Sequence, residues 1–127
     1  MNILIVEDES YVAEMLCRAL EQFGNECHFA YDASAAQEML EEHEIEALTL
    51  DLGLPGANGL DWLETVASTR PDLAARTLVI TGQTLAPKDV QRLARCGAGV
   101  LAKPFTLDHL EEAVRVQIDR PAPDRSN

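Results

Sequence analysis

The sequence predicts an α/β fold, a doubly wound (βα)5 sandwich whose five parallel strands run in the order 2-1-3-4-5. Three observations carry this expectation. Short apolar runs alternate five times with stretches whose apolar residues recur at helical spacing. The runs are continuous rather than alternating, as in strands buried on both faces of a parallel sheet. Four of the runs stop abruptly at a chemically capable residue. Ile3-Leu4-Ile5-Val6 runs into Glu7-Asp8-Glu9, and the run over 45–50 runs into Asp51. Leu78-Val79-Ile80 runs into Thr81-Gly82, and Val100-Leu101-Ala102 runs into Lys103-Pro104. Open parallel sheets place their chemistry at the carboxyl ends of the strands, in the crevice where the strand order reverses. Right-handed crossovers make the sandwich an open one, and the order 2-1-3-4-5 puts the first and third strands side by side at that point.

The elements follow in order. Residues 2–6 form the first strand. Over 9–23, Val12, Leu16, Ala19, Leu20 and Phe23 keep helical spacing, and Gly24 stops the helix. Residues 26–30 are the second strand. Asp32 caps a helix over 33–42, and residues 45–50 are the third strand. A loop of breakers, Leu52-Gly53-Leu54-Pro55-Gly56, leads to a helix over 59–69 that ends before Pro71. Residues 77–81 are the fourth strand. Pro87 opens a helix over 87–96 and Gly97 lies past its end. Residues 99–102 are the fifth strand. Thr106 caps a last helix over 107–118, with Leu107, Leu110, Val114 and Ile118 on its apolar face.

The bulk numbers narrow the function. A chain of 127 residues holds one domain with a real core, and 46% apolar with 25% charged is the composition of an ordinary soluble globular protein. No apolar stretch approaches the ~20 residues of a membrane span, and the start lacks signal-peptide features. Three scattered cysteines, Cys17, Cys27 and Cys96, argue against a disulfide framework and fit a reducing cytoplasm, the expected location. No Cys/His spacing suggests zinc; His28, His43 and His109 read as structural or solvated. The formal net charge is −12. Residues 1–69 hold 15 acids and one base, Arg18, whereas residues 70–127 hold 7 acids and 9 bases. Such a surface repels phosphate backbones, so direct nucleic-acid binding is not expected.

The acids at the strand ends are a different matter. Adjacent first and third strands bring Glu7, Asp8 and Asp51 into one cleft, where three carboxylates repel unless a cation neutralises them. Oxygen-only ligands suit a hard cation, Mg2+ before Ca2+. Asp51 could then serve as a nucleophile toward phosphorus, in a reaction that needs mostly positioning and charge neutralisation. Lys103, one of two lysines in the chain, would face the phosphoryl oxygens, and Thr81 would donate a hydroxyl hydrogen bond. Taken singly, an acid pair can be a helix cap, a lone Asp a turn residue and a lone Lys a solvated one. Four such coincidences at four strand ends are much less probable.

With these motifs in hand, the chain resembles the receiver domains of two-component response regulators. The motifs are Ile3-Leu4-Ile5-Val6-Glu7-Asp8-Glu9, Leu50-Asp51-Leu52-Gly53-Leu54-Pro55 with Gly59, Val79-Ile80-Thr81-Gly82, and Ala102-Lys103-Pro104-Phe105. The resemblance covers residues 1 to about 118. It implies the flavodoxin-like (CheY-like) version of the fold, with Asp51 as phospho-acceptor and Thr81 and Lys103 contacting the phosphoryl group. It implies Mg2+ held by Asp8, Asp51 and the Gly53 carbonyl, with Glu7 acting through water, and a cis Lys103–Pro104 bond. It implies a histidine kinase or histidine phosphotransfer protein as donor and a downstream effector protein as receiver of the signal. The expected organisation is a receiver domain over 1–118 and a fraying tail over 119–127, either standing alone or cut from a longer regulator or hybrid kinase.

Departures from the family pattern are also visible. Glu7 stands where Asp is commoner. Val100 stands where an aromatic switch residue often lies, so output is expected mainly through residues 82–88. Gly53 and Gln83 occupy positions that tune phosphoryl lifetime in the family. For partner surfaces, Tyr11, Val12 and Met15 are a candidate apolar patch for the kinase. Helix 87–96, strand 99–102 and helix 107–118 are the expected face for effector contact or a phosphorylation-dependent dimer. On helix 87–96 Lys88, Arg92 and Arg95 share one side by spacing, and the last helix carries the acids Asp108, Glu111, Glu112 and Asp119; taken alone, both read as solvated faces.

Rival readings are weaker. A dinucleotide or flavin module wants a Gly-rich turn after the first strand, and Glu7-Asp8-Glu9-Ser10 repels phosphates instead. An aspartate-nucleophile phosphatase wants a second Asp two residues after the nucleophile, where Gly53 stands. A receiver that works unphosphorylated as an interaction module would not need five chemically competent positions.

Overall fold

A computed structural model describes residues 1–54 and 58–119. Pro55, Gly56 and the tail beyond Asp119 lie outside the described residues. The elements in chain order are β1 (Asn2–Val6), α1 (Ser10–Gln22), β2 (Glu26–Ala30), α2 (Ala33–Glu42), β3 (Ala47–Leu50) and α3 (Gly59–Thr69). They continue with α4 (Pro71–Ala75), β4 (Thr77–Thr81), α5 (Pro87–Cys96), β5 (Gly99–Ala102) and α6 (Leu107–Gln117). All strand pairs are parallel and the sheet order is β2-β1-β3-β4-β5, as expected.

Alternation along the strands divides the core into two layers. Leu4, Val6, Leu48, Leu50 and Val79 face α2, α3, α4 and α5. Ile3, Ile5, Ala47, Leu78 and Ile80 face α1 and α6. Each fully buried Leu or Ile contributes about 1.5–3 kcal/mol relative to exposure, so both layers hold the sheet firmly. This is why the three central strands β1, β3 and β4 are buried almost throughout, whereas the edge strands β2 and β5 are only partly covered.

Several boundaries differ from the sequence expectation. The stretch Pro71–Ala75, read only as a helix stop, is itself a short helix. Pro71 sits at its first position, where a missing N–H costs nothing, and Leu73 and Ala74 are buried beneath it. β3 starts at Ala47, not 45: Ile45 is buried, but its N–H goes to the His43 carbonyl at 3.0 Å and not into the ladder. α1 runs from 10 to 22, with Glu9 and Phe23 as its caps and Gly24 beyond at φ +92°. α6 stops at Gln117, with Ile118 as its cap. The side-chain caps fall where expected, Asp32 accepting from Ala35 N–H at 2.7 Å and Thr106 from His109 N–H at 3.1 Å.

Two long-range links tie helices together. Arg92 of α5 pairs with Asp61 and Glu64 of α3. It is therefore not part of a free basic stripe with Lys88 and Arg95. The Gln117 side chain donates to the Ala75 and Gly97 carbonyls, each at 2.7 Å, joining α6 to the carboxyl ends of α4 and α5.

Candidate functional site

The cleft is built by extending the sheet one residue past the strand ends. Glu7 N–H donates to the Ala30 carbonyl at 3.0 Å, Asp51 N–H to Val6 at 3.0 Å, and Lys103 N–H to Thr81 at 2.9 Å. These main-chain bonds anchor the three ionisable residues on rigid backbone. Register pairs Val6 with Leu50, so Glu7 and Asp51 leave adjacent strands side by side. One carboxylate oxygen each from Glu7, Asp8 and Asp51 lie within 4.8 Å of one another.

Lys103 completes the cluster. Its Nζ stands 3.4 Å from Glu7 Oε2 and 3.5 Å from Asp51 Oδ2. The Lys103–Pro104 peptide bond is cis. Asp51 Oδ1 accepts the Gly53 N–H at 3.0 Å, and Glu7 Oε1 accepts the Glu9 N–H at 3.4 Å. Glu7 is 2% and Asp51 8% exposed, whereas Asp8 is open to solvent. Burial, with the Asp51 charge beside it, pushes the Glu7 carboxyl up to about 7 despite the Lys103 ammonium. Burial alone would push Lys103 down, but the Asp51 and Glu7 charges outweigh it and the net shift is upward. The cleft therefore carries more negative charge than its single Lys neutralises.

Thr81 ends β4, next to β3, with its side chain buried. Its Oγ1 accepts the Gln83 N–H at 3.1 Å, which leaves the hydroxyl hydrogen free to donate elsewhere. Gly53 and Gly59 both sit in close quarters. A Cβ on Gly53 would lie 3.2 Å from Gln83 Nε2, and one on Gly59 would lie 3.1 Å from Leu52 Cα and 3.2 Å from the Asp51 carbonyl. At Gly59 the neighbour is backbone of the Asp51 loop, so the start of α3 packs tightly against that loop; at Gly53 it is the end of a side chain that can shift.

The expected residues Glu7, Asp8, Asp51 and Lys103 converge, with Gly53 bonded to Asp51. Thr81 stands at the neighbouring strand end, bonded to Gln83. The sequence reading missed Asn58, whose side chain accepts from Leu60 N–H at 2.9 Å and Asp61 N–H at 3.3 Å and so launches α3 from the Asp51 loop. An Asn directly before a helix start was a legible signal. The reading also missed half of a surface groove of about 340 Å3, where Phe105, Leu107 and Leu110 face Tyr11, Met15 and Arg18. Nothing local to α1 announces that pairing. Val12 is partly buried against the core.

A doubly wound domain with an acidic cleft and a lysine at the switch point defines a class, and comparison with known proteins names it. The response regulator receiver domain matches residues 3–115. The chain belongs to that family and is a receiver domain of the two-component type. It is 32% identical over 124 residues to Response regulator MprA of Mycobacterium avium (strain 104), covering 98% of this chain and 54% of that protein. The chain thus spans about half the length of the curated relatives it matches. Among solved structures, it resembles the non-phosphorylated HemR receiver domain from Leptospira biflexa, with a TM-score of 0.85 and 30% identity over 97% of this chain and 98% of that one. It also resembles a Burkholderia pseudomallei response regulator with a phosphorylated aspartic acid, a calcium ion and citrate. That match has a TM-score of 0.77 and 28% identity over 89% of this chain and 65% of that one. Among the described residues no helix is long and apolar enough to cross a membrane.

Proposed function

We propose that the chain is a Mg2+-dependent phospho-acceptor switch whose Asp51 takes a phosphoryl group from a histidine kinase or histidine phosphotransfer protein. The observation that carries this is the placement of Asp51, 8% exposed, within reach of two further acids and 3.5 Å from Lys103. The Burkholderia pseudomallei relative, with its phosphorylated aspartic acid and calcium ion, supports the same chemistry on the same fold.

The donor set fits Mg2+: three carboxylates, oxygen only, with an uncompensated negative charge. Asp8, Asp51 and the Gly53 carbonyl would hold the ion, with Glu7 acting through water. When bound, it supplies charge neutralisation between the acids and an incoming phosphoryl group. An Asp51 oxygen then forms the bond to phosphorus as the bond to the donor's imidazole nitrogen breaks, the electron pair leaving with nitrogen. Lys103 shifts its charge onto the phosphoryl oxygens and Thr81 donates its hydroxyl hydrogen. Self-phosphorylation from small phosphodonors and slow hydrolysis are the only reactions the domain catalyses.

The receiver unit runs through residue 118, a boundary supported by fully buried Ile118. The groove between α1 and the start of α6 receives the donor protein, since its apolar walls lie beside Lys103 through Phe105. Exposed Val90, Val100 and Val116 on α5, β5 and α6 serve effector contact or a phosphorylation-dependent dimer. With Val100 at the usual aromatic position, the signal leaves mainly through residues 82–88.

The test is intact mass after incubation with acetyl phosphate and Mg2+. A single phosphoryl adduct is expected, absent in Asp51→Asn and absent with EDTA. An adduct that persists in Asp51→Asn, or none from acetyl phosphate or any phosphotransfer donor, overturns the proposal.

A further inference from the structure

His28 and His43 belong to neither the cleft nor the groove, yet they lie together. His28 sits in β2, the edge strand, in register with Leu4, whose side chain packs on the α2 side. His43 caps the carboxyl end of α2, its N–H bonded to the Met39 carbonyl at 3.0 Å. The two ring centroids are 4.9 Å apart, with planes tilted by 34°. Two elements 15 positions apart in sequence thus deliver a pair of imidazoles to one spot. Each neutral imidazole offers one unprotonated nitrogen as a ligand.

The surroundings favour a cation. Between Arg18 and Arg70 the chain contains no Lys or Arg at all. Glu26 shares the β2 face with His28, Glu41 and Glu42 close α2, and Glu44 follows His43. The carboxyl end of a helix adds its own negative partial charge.

We infer that His28 and His43 form a binding site for a divalent transition-metal cation of the Zn2+, Ni2+, Cu2+ group, with water completing the coordination. Imidazole nitrogens select these borderline ions over Mg2+ and Ca2+, so this site and the oxygen-only cleft sort cations by ligand chemistry. A bound ion would pin the end of α2 to the edge strand. The inference stands independently of phosphorylation.

Zn2+ titration of the untagged full chain, with Mg2+ at saturating concentration, tests it by calorimetry and by imidazole NMR. One equivalent should bind, moving the His28 and His43 ring signals and raising Tm. Outer hydrogen-bond partners of metal ligands are worth roughly 10–100-fold in affinity, so removing one of two direct ligands should weaken binding at least that much. His43 is exposed, so His43→Gln keeps the fold and is the deciding variant, with Asp8→Asn expected to bind Zn2+ as the wild type does. Undiminished affinity in His43→Gln overturns the inference, as do shifts confined to Cys17 and Cys27, or to Glu7, Asp8 and Asp51.

Discussion

The Thr49 hydroxyl is buried with no hydrogen-bond partner among the described residues. It lies on the same side of β3 as Ala47, in the apolar layer under α1 and α6. An isolated buried hydroxyl costs stability that a methyl does not. Thr49→Val should therefore stabilise the protein by about 1 kcal/mol in urea unfolding; destabilisation would mean that the hydroxyl has a partner, such as a buried water. Glu7 stores a pH dependence of opposite origin. Its carboxyl is raised from 4.5 to about 7 in the folded, metal-free protein, chiefly by burial. Between those values the unfolded chain has released a proton that the folded chain keeps, so this group's contribution to stability falls as pH rises. Without metal, Glu7→Gln should gain on the wild type as pH is raised from 4.5 to about 7 and then hold a constant lead. A pH-independent difference between the two unfolding curves would contradict this. Single residues such as Asp51 and Lys103 were legible in the sequence because each follows an apolar run. The upward shift of Glu7 was not, because it arises from burial under the packed sheet end and from Asp51, 44 positions away, and is only partly relieved by Lys103, 96 positions away.

At the scale of elements, the helix ends carry the surprises. Gln117 lies near the end of α6, yet its side chain closes two carbonyls, at Ala75 and Gly97. Gln117→Leu would leave both unpaired against an apolar group and should cost about 1–3 kcal/mol, read as a lowered urea midpoint with unchanged slope. A loss of only a few tenths would show that water replaces the amide freely. Gly99 records the same crowding, since a Cβ there would meet Gln117 Oε1 at 2.5 Å. Strands and long helices were legible because periodicity is local. α4 was not: its five residues are too few for a periodic signal, and Pro71 reads as a stop as readily as a start. The same limit applies to α5, where spacing aligned Lys88, Arg92 and Arg95, while tertiary packing against Asp61 and Glu64 removed Arg92 from that stripe.

For the molecule as a whole, a net charge of −12 opposes compaction, and part of that charge is gathered in the cleft. Mg2+ should therefore stabilise beyond simple screening. At a hundred times its Kd, a ligand that binds only the folded state adds about 2.7 kcal/mol. MgCl2 should raise Tm well above NaCl at equal ionic strength, and Asp8→Asn should erase the difference while keeping the general salt response. Equal curves in the two salts would remove the cleft as a metal site. By itself the sequence determined the fold class and the strand order, which follow from apolar periodicity and from the place of polar residues at strand ends, and its four motifs carried the resemblance to the family. Only the tertiary structure decided the charge balance of the cleft, the groove shared by α1 and α6, the Gln117 brace and the contact of His28 with His43. Each of those depends on which distant segments are pressed together, a property of packing that no local pattern encodes.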